Sequence, residues 1–132
     1  MKEIKQLTFE KACKLEGLDA KKIVAASIQL AALFPKKDRK SQIAQSKVVI
    51  MVKAANRLAN DGKPWKPDYN NTDWKYEPRF IVASSGFQCV GYGAWRADSL
   101  VGSRLCFKNY DVMKWMCEDN KNYLKVCKEY ML

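Results

Sequence analysis

The stretch from Trp65 to Phe80, W-K-P-D-Y-N-N-T-D-W-K-Y-E-P-R-F, divides this chain into two kinds of sequence. Its two prolines fix φ and remove amide donors, and its two asparagines and two aspartates favour turns, so no helical or strand rhythm survives its first half. Five of the sixteen residues are nevertheless aromatic: Trp65, Tyr69, Trp74, Tyr76 and Phe80. An irregular loop loses conformational entropy when it orders, and burial of rings is the readiest way to offset that loss. The expectation is a joint between a helical half, residues 1–62, and a sheet-forming half that runs from about 65 to 132.

The pattern before the joint is helical. Thr8 to Leu15 makes a short amphipathic helix with Phe9, Ala12 and Cys13 inward, Leu15 a further candidate for that face, and Gly17 placed to stop it. Asp19 can cap a second helix, Ala20 to Leu33, whose apolar residues cover too much of the circumference for an ordinary surface helix. It is expected to be largely buried, or to cover its spare side with a partner, and to stop before Pro35. Asp38 can cap a long helix from Arg39 to Asn60, on which Ile43, Ala44, Val48, Met51, Val52, Ala55 and Leu58 recur near helical spacing. Asn60, Asp61 and Gly62 close it in turn chemistry.

After the joint, Trp74 to Ser84 alternates as a strand in which Pro78 marks an edge or a bulge. Ser84-Ser85-Gly86 reads as a hairpin turn, Phe87 to Trp95 as its partner, and Ser103 to Lys108 as a third strand. Asn109 caps a final helix, Tyr110 to Met131, with a polar gap at Asp119 and Asn120 that kinks or frays it. The predicted fold class is α+β in one domain, residues 1–132: N-terminal helices, the aromatic loop, a three-stranded antiparallel sheet and a C-terminal helix.

Charge and reactive residues narrow the function. Against 24 Lys and Arg stand 14 Asp and Glu, a formal +10, and residues 1–60 hold 13 of the basic and only 5 of the acidic side chains. Such a field attracts polyanions or acidic protein surfaces, and equally keeps a protein soluble by self-repulsion. With no histidine, Ser-His, Cys-His and His-metal chemistry within the chain is excluded. The five cysteines form no C-x-x-C pair, so they read as reduced, mostly buried apolar residues of a cytoplasmic protein that is not secreted. No apolar run is long enough for a membrane helix, and no membrane association or cofactor is expected.

W-K-P-D-Y-N-N (Trp65 to Asn71), W-K-Y-E-P-R-F (Trp74 to Phe80) and V-G-S-R-L-C-F-K-N (Val101 to Asn109) resemble small proteins encoded by Bacteroides and related bacteria and by their phages and prophages. The likeness covers roughly residues 45 to 130, with Tyr69 where that group usually has tryptophan. It implies a phage or mobile-element origin and no particular mechanism. On that basis the chain is expected to be a non-catalytic accessory or virion-associated protein in a bacterial cytoplasm, acting through contacts with a phage or host protein or with itself.

The alternative is a nucleic-acid-binding module. Lys36, Lys37, Arg39 and Lys40 form a basic run, and Trp65, Tyr69, Trp74 and Tyr76 with Arg79, Arg104 and Lys108 would make a stacking platform beside a cationic groove. The competing reading packs those rings into the core and ties Arg104 to Asp68 or Asp73. Asp68-x-Asn70-x-Thr72 starts like a calcium loop but has Asp73 at the glycine position and Arg79 at that of the closing acid, so no metal site is expected. Asp68, Asp73 and Glu77 are the carboxylates an enzyme would have to use, and no catalytic set surrounds them in the sequence.

Overall fold

In a computed structural model, described for residues 2–66, 75–95 and 105–132, six α-helices pack with one antiparallel hairpin. The helices are α1 (Lys2–Lys5), α2 (Phe9–Leu15), α3 (Ala20–Ala31), α4 (Arg39–Ala59), α5 (Tyr110–Lys114) and α6 (Lys121–Met131). The hairpin pairs β1 (Lys75–Ala83) with β2 (Gly86–Trp95). The α+β class expected from the sequence is therefore present.

Local chemistry explains most helix ends. The Thr8 hydroxyl accepts from the Lys11 amide at 3.2 Å, and Asp19 Oδ1 accepts from Lys21 and Lys22 at 3.0 and 3.3 Å. Gly17, at φ +70°, ends α2 in a Schellman motif: its amide reaches the Lys14 carbonyl and the Leu18 amide reaches that of Cys13 at 2.8 Å. Asp61 takes the left-handed position after α4, with φ 56°, and the Gly62 amide closes on Arg57 O at 2.9 Å. Asp38 does not cap α4 through its side chain. A 3₁₀ turn, Lys36–Asp38, runs straight into the helix instead.

The core gathers Ile4 and Leu7 with Phe9, Ala12 and Cys13 of α2, and the α4 stripe Val48, Met51, Val52, Ala54 and Ala55. Phe107, Val112, Met113, Met116, Cys117, Tyr123 and Cys127 complete it from the C-terminal segment. Phe107 meets Tyr123 edge-on at 6.1 Å. The polar gap at Asp119 and Asn120 breaks the C-terminal helix into α5, a π turn (Trp115–Asp119) and α6. Asn120 is 1% exposed; its Nδ2 donates to the carbonyls of Ile4 and Leu7 at 2.7 and 2.9 Å, while Oδ1 accepts from the Tyr123 amide at 3.0 Å. One amide thus caps α6 and ties α1 to the core, a bond the sequence pattern did not suggest.

The hairpin turns at Ser84 and Ser85, and Gly86 adopts φ 108°. A register shift at Arg79 and Phe80, just after Pro78, leaves an extra β2 residue beside Gly91, a β-bulge. Phe80 and Phe87 stack at 5.0 Å and lie against the core. The expected third strand is not shown. Ser103 and Arg104 lie outside the described residues, and the rest of the segment makes a single antiparallel bridge, Phe107 N to Tyr76 O at 2.8 Å. On its other side stands a side chain in place of a strand. Asn56 of α4, 3% exposed, donates Nδ2 to Cys106 O at 3.0 Å, and its Oδ1 accepts from Lys108 N at 2.8 Å. That pair satisfies the backbone groups a neighbouring strand would have used, so residues 106–108 need no further sheet partner.

Candidate functional site

Helix α3 departs furthest from its expected burial. Of its twelve residues only Ala31 is buried, while Ile28 is 53% and Leu30 57% exposed. Leu33 at 81% and Phe34 at 38% continue the apolar surface beyond the helix end. The expectation of a largely buried helix is thus corrected. The core is already filled by α1, α2, α4, α5 and α6, and α3 touches it only through partly buried Ala20, Ile23 and Val24.

Between α3 and α4 runs a groove of about 570 Å³. Ile23, Ala26, Ser27 and Leu30 form one wall and Gln45, Ser46, Val49 and Ile50 the other. Positions 23, 26, 27 and 30 share one face of a helix, so the wall follows from spacing alone. Ser27 adds no polar demand, because its hydroxyl donates back to the Ile23 carbonyl at 2.7 Å.

The basic run lies at the turn leading into α4, where Lys36, Lys37, Arg39 and Lys40 are all exposed. Arg39 is already engaged: its Nε donates to Phe34 O at 3.0 Å and its Nη2 to Ala32 O at 3.4 Å, which caps α3. Lys37 and Lys40 instead line a cleft of about 480 Å³ with Ser41, Lys125, Lys128, Glu129 and Leu132. The Ser41 hydroxyl donates to the Tyr130 carbonyl and joins the start of α4 to the end of α6. Sequence reasoning missed Lys125 and Lys128, which helical periodicity placed on α6 without showing what they would face.

The remaining candidates do not join this cleft. Lys108 Nζ donates to Asn60 Oδ1 at 2.8 Å and Ala59 O at 3.4 Å, so it caps the far end of α4, about 30 Å from Lys40 along a 21-residue helix. Tyr76 is partly buried against the core, Arg79 is exposed on β1 and Trp65 is half-buried after α4. Tyr69, Trp74 and Arg104, with the carboxylates Asp68 and Asp73, lie outside the described residues. The basic run thus lies at the start of α4 and Lys108 at its end, while Tyr76 and Arg79 belong to β1.

The cysteines are free, and Cys13, Cys106, Cys117 and Cys127 are buried. Burial, and then the neighbouring Cys89 thiol, raises Cys117 far above its ordinary value; Cys127, also through burial, is pushed up to about 12. These are inert thiols rather than nucleophiles at neutral pH. Among the described residues no group of three or more Cys, Asp or Glu is arranged to hold a metal ion, and no helix is long and apolar enough to cross a membrane. Comparison with protein-family models, curated proteins and solved structures returns no match.

Proposed function

We propose that this chain is a non-catalytic accessory protein, phage-associated and working in a bacterial host cytoplasm or on the virion, that acts by binding a protein partner. The exposure of Ile28 and Leu30 on a helix that buries only Ala31, and of Leu33 and Phe34 just beyond its end, carries this reading. Of these, Leu30 also lines the apolar α3–α4 groove, and exposed apolar surface of this kind marks interaction sites. Covering four half-exposed large side chains is worth on the order of 5 kcal/mol before association costs, enough to drive docking but not to set its specificity. The sequence resemblance supplies the phage association.

A photo-crosslinking residue at Leu33, compared with one at exposed Lys121 on α6, tests the face during phage infection of the host. Adducts to a protein from position 33 and none from 121, with the chain present in purified virions or in a phage-protein complex, are expected. Equal adducts from both positions, or none from position 33, would overturn the reading.

The cleft between α4 and α6 favours a second reading, a contact with nucleic-acid phosphates through Lys37, Lys40, Lys125 and Lys128, where Glu129 is the acidic side chain of the lining. A single-stranded 30-mer should bind with a steep salt dependence. The combined Lys125→Gln and Lys128→Gln variant should flatten the log–log slope by about 1.4. An unchanged slope would remove the cleft from consideration.

A further inference from the structure

The α3–α4 groove combines two properties that together specify an occupant. It is apolar and concave, and within the two helices that build it the charged side chains are all basic, the nearest carboxylate to Lys22 in sequence being Asp19, which is engaged in capping α3: α3 has Lys21 and Lys22, and α4 has Arg39, Lys40, Lys47, Lys53 and Arg57. Of these, Arg57 is neutralised by Glu16 at 2.8 Å, Arg39 is engaged in capping α3, and Lys47 lies over the Phe9 ring at 5.6 Å. Helical spacing carries the α3 wall one turn back from Ala26 to Lys22, and the α4 wall one turn on from Val49 to Lys53. Both lysines are exposed, and since a short turn joins the two helices into an antiparallel hairpin, both fall at the same end of the groove.

Resting on the proposal that this face docks a protein, we infer that its occupant is an amphipathic helix of the partner. Its apolar stripe fills the groove, and its acidic residues meet Lys22 and Lys53. A helix laid on two others buries its apolar stripe in the furrow between them, the packing that a concave, two-walled groove admits. A second copy of this face is disfavoured, because pairing α3 and α4 with themselves sets lysine against lysine. A lipid surface matches the charge but not the shape: interfacial helices present a convex apolar face to the bilayer, and here the apolar residues line a furrow.

The test is selection on the full chain from a displayed library of 18-residue amphipathic helices with randomised flanks, followed by amide-shift mapping and affinity measurement. Enriched peptides should carry an excess of Asp and Glu and perturb amides of residues 23–30 and 45–50. They should lose binding to Ala26→Gln, which fills the groove, and bind the Lys22→Glu, Lys53→Glu double variant about tenfold more weakly. Peptides with Glu changed to Lys should recover affinity for that double variant. Both substituted positions are exposed, so the fold is kept, and circular dichroism of each variant checks this. Groove binders without acidic excess, or unaffected by the lysine reversals, would overturn the acidic occupant while leaving the docking face standing. Selection of no peptide that maps to the groove would remove both. If vesicles of 7:3 phosphatidylcholine and phosphatidylglycerol bind and Ala26→Gln abolishes that binding, the lipid surface replaces the helix and the inference fails.

Discussion

Replacing Asn56 separates a structural tie from mere packing. The side chain stands in for a strand: it donates to Cys106 O and accepts from Lys108 N, at 3.0 and 2.8 Å, from a position 3% exposed. Asn56→Ala leaves the buried Cys106 carbonyl without this donor, at a cost of ~1–3 kcal/mol, and the Lys108 amide, which water reaches more easily, adds ~0.5–1 kcal/mol. The expected loss is ~2–4 kcal/mol, a large part of the ~5–15 kcal/mol that holds a domain of this size together. Asn56→Asp should be worse near neutrality, because a carboxylate oxygen then faces the Cys106 carbonyl. Burial raises that carboxyl's pKa in the folded state, so the variant is best tolerated at low pH, where a protonated oxygen can donate, and loses stability as pH rises through the unfolded value of about 3.9. Urea unfolding followed by circular dichroism gives the magnitudes, and exchange of the Lys108 amide reports the tie itself. An Asn56→Ala loss under ~0.5 kcal/mol, or an Asp variant whose deficit does not change between pH 3 and 7, would refute the strand-substitute reasoning.

Three further outcomes follow from the core and the helix ends. Asn120→Ala removes the donor shared by Ile4 O and Leu7 O together with the α6 cap, and should cost ~2–4 kcal/mol in urea unfolding, with early loss of protection in residues 2–7. Gly17→Ala meets no atom within 4 Å but must hold φ near +70°, so a loss of ~1 kcal/mol is expected from backbone strain alone, read as a lower thermal midpoint with an unchanged fold. Alkaline pH should destabilise the chain under reducing conditions. Cys117 and Cys127 keep their protons in the folded state beyond the ~8.5 of an unfolded thiol, so stability is full below that value and falls as pH rises past it, by about 1.4 kcal/mol per pH unit for each thiol. A urea midpoint that stays flat from pH 8 to 10.5 would contradict their burial as protonated groups.

How much of this was legible in the sequence depended on whether the determining contact was local. Thr8, Gly17, Asp19 and Asn109 act within a few residues of themselves, and each ends or begins its helix where the sequence places it. The hairpin turn at Ser84 and Ser85 is equally local. Asn56 and Asn120 are the opposite case, since the backbone carbonyls that their Nδ2 groups tie lie 50 to 116 positions away. In a hydropathy pattern each is only a polar interruption. Asn120 does kink the C-terminal helix, and the kink frees its amide to hold α1, while Asn56 sits in the inward stripe of α4, where the apolar pattern hides it. Of the expected third strand the described residues show one bridge, Tyr76 to Phe107, and the neighbour on its other side is a side chain, Asn56, from the other half of the chain.

The candidate site shows the same limit from the side of charge. Arg39 and Lys108 carry the expected sign, yet both donate to carbonyls at helix ends, Ala32 O after α3 and Ala59 O of α4, a use that depends on where the chain folds back. Lys125 and Lys128 were overlooked because α6 alone reads as an amphipathic helix with a solvated face, and only the packing of α6 on α4 brings that face to Lys37 and Lys40. The excess hydrophobicity of α3 could be read directly, and burial was its simplest explanation. The helix does pack on α4, but it reaches the core only through partly buried Ala20, Ile23 and Val24, while Ile28 and Leu30 stay exposed. The proposed protein partner would meet the exposed Leu30 and Leu33 beside the exposed Lys22 and Lys53, which is why an acidic helix is the occupant inferred above.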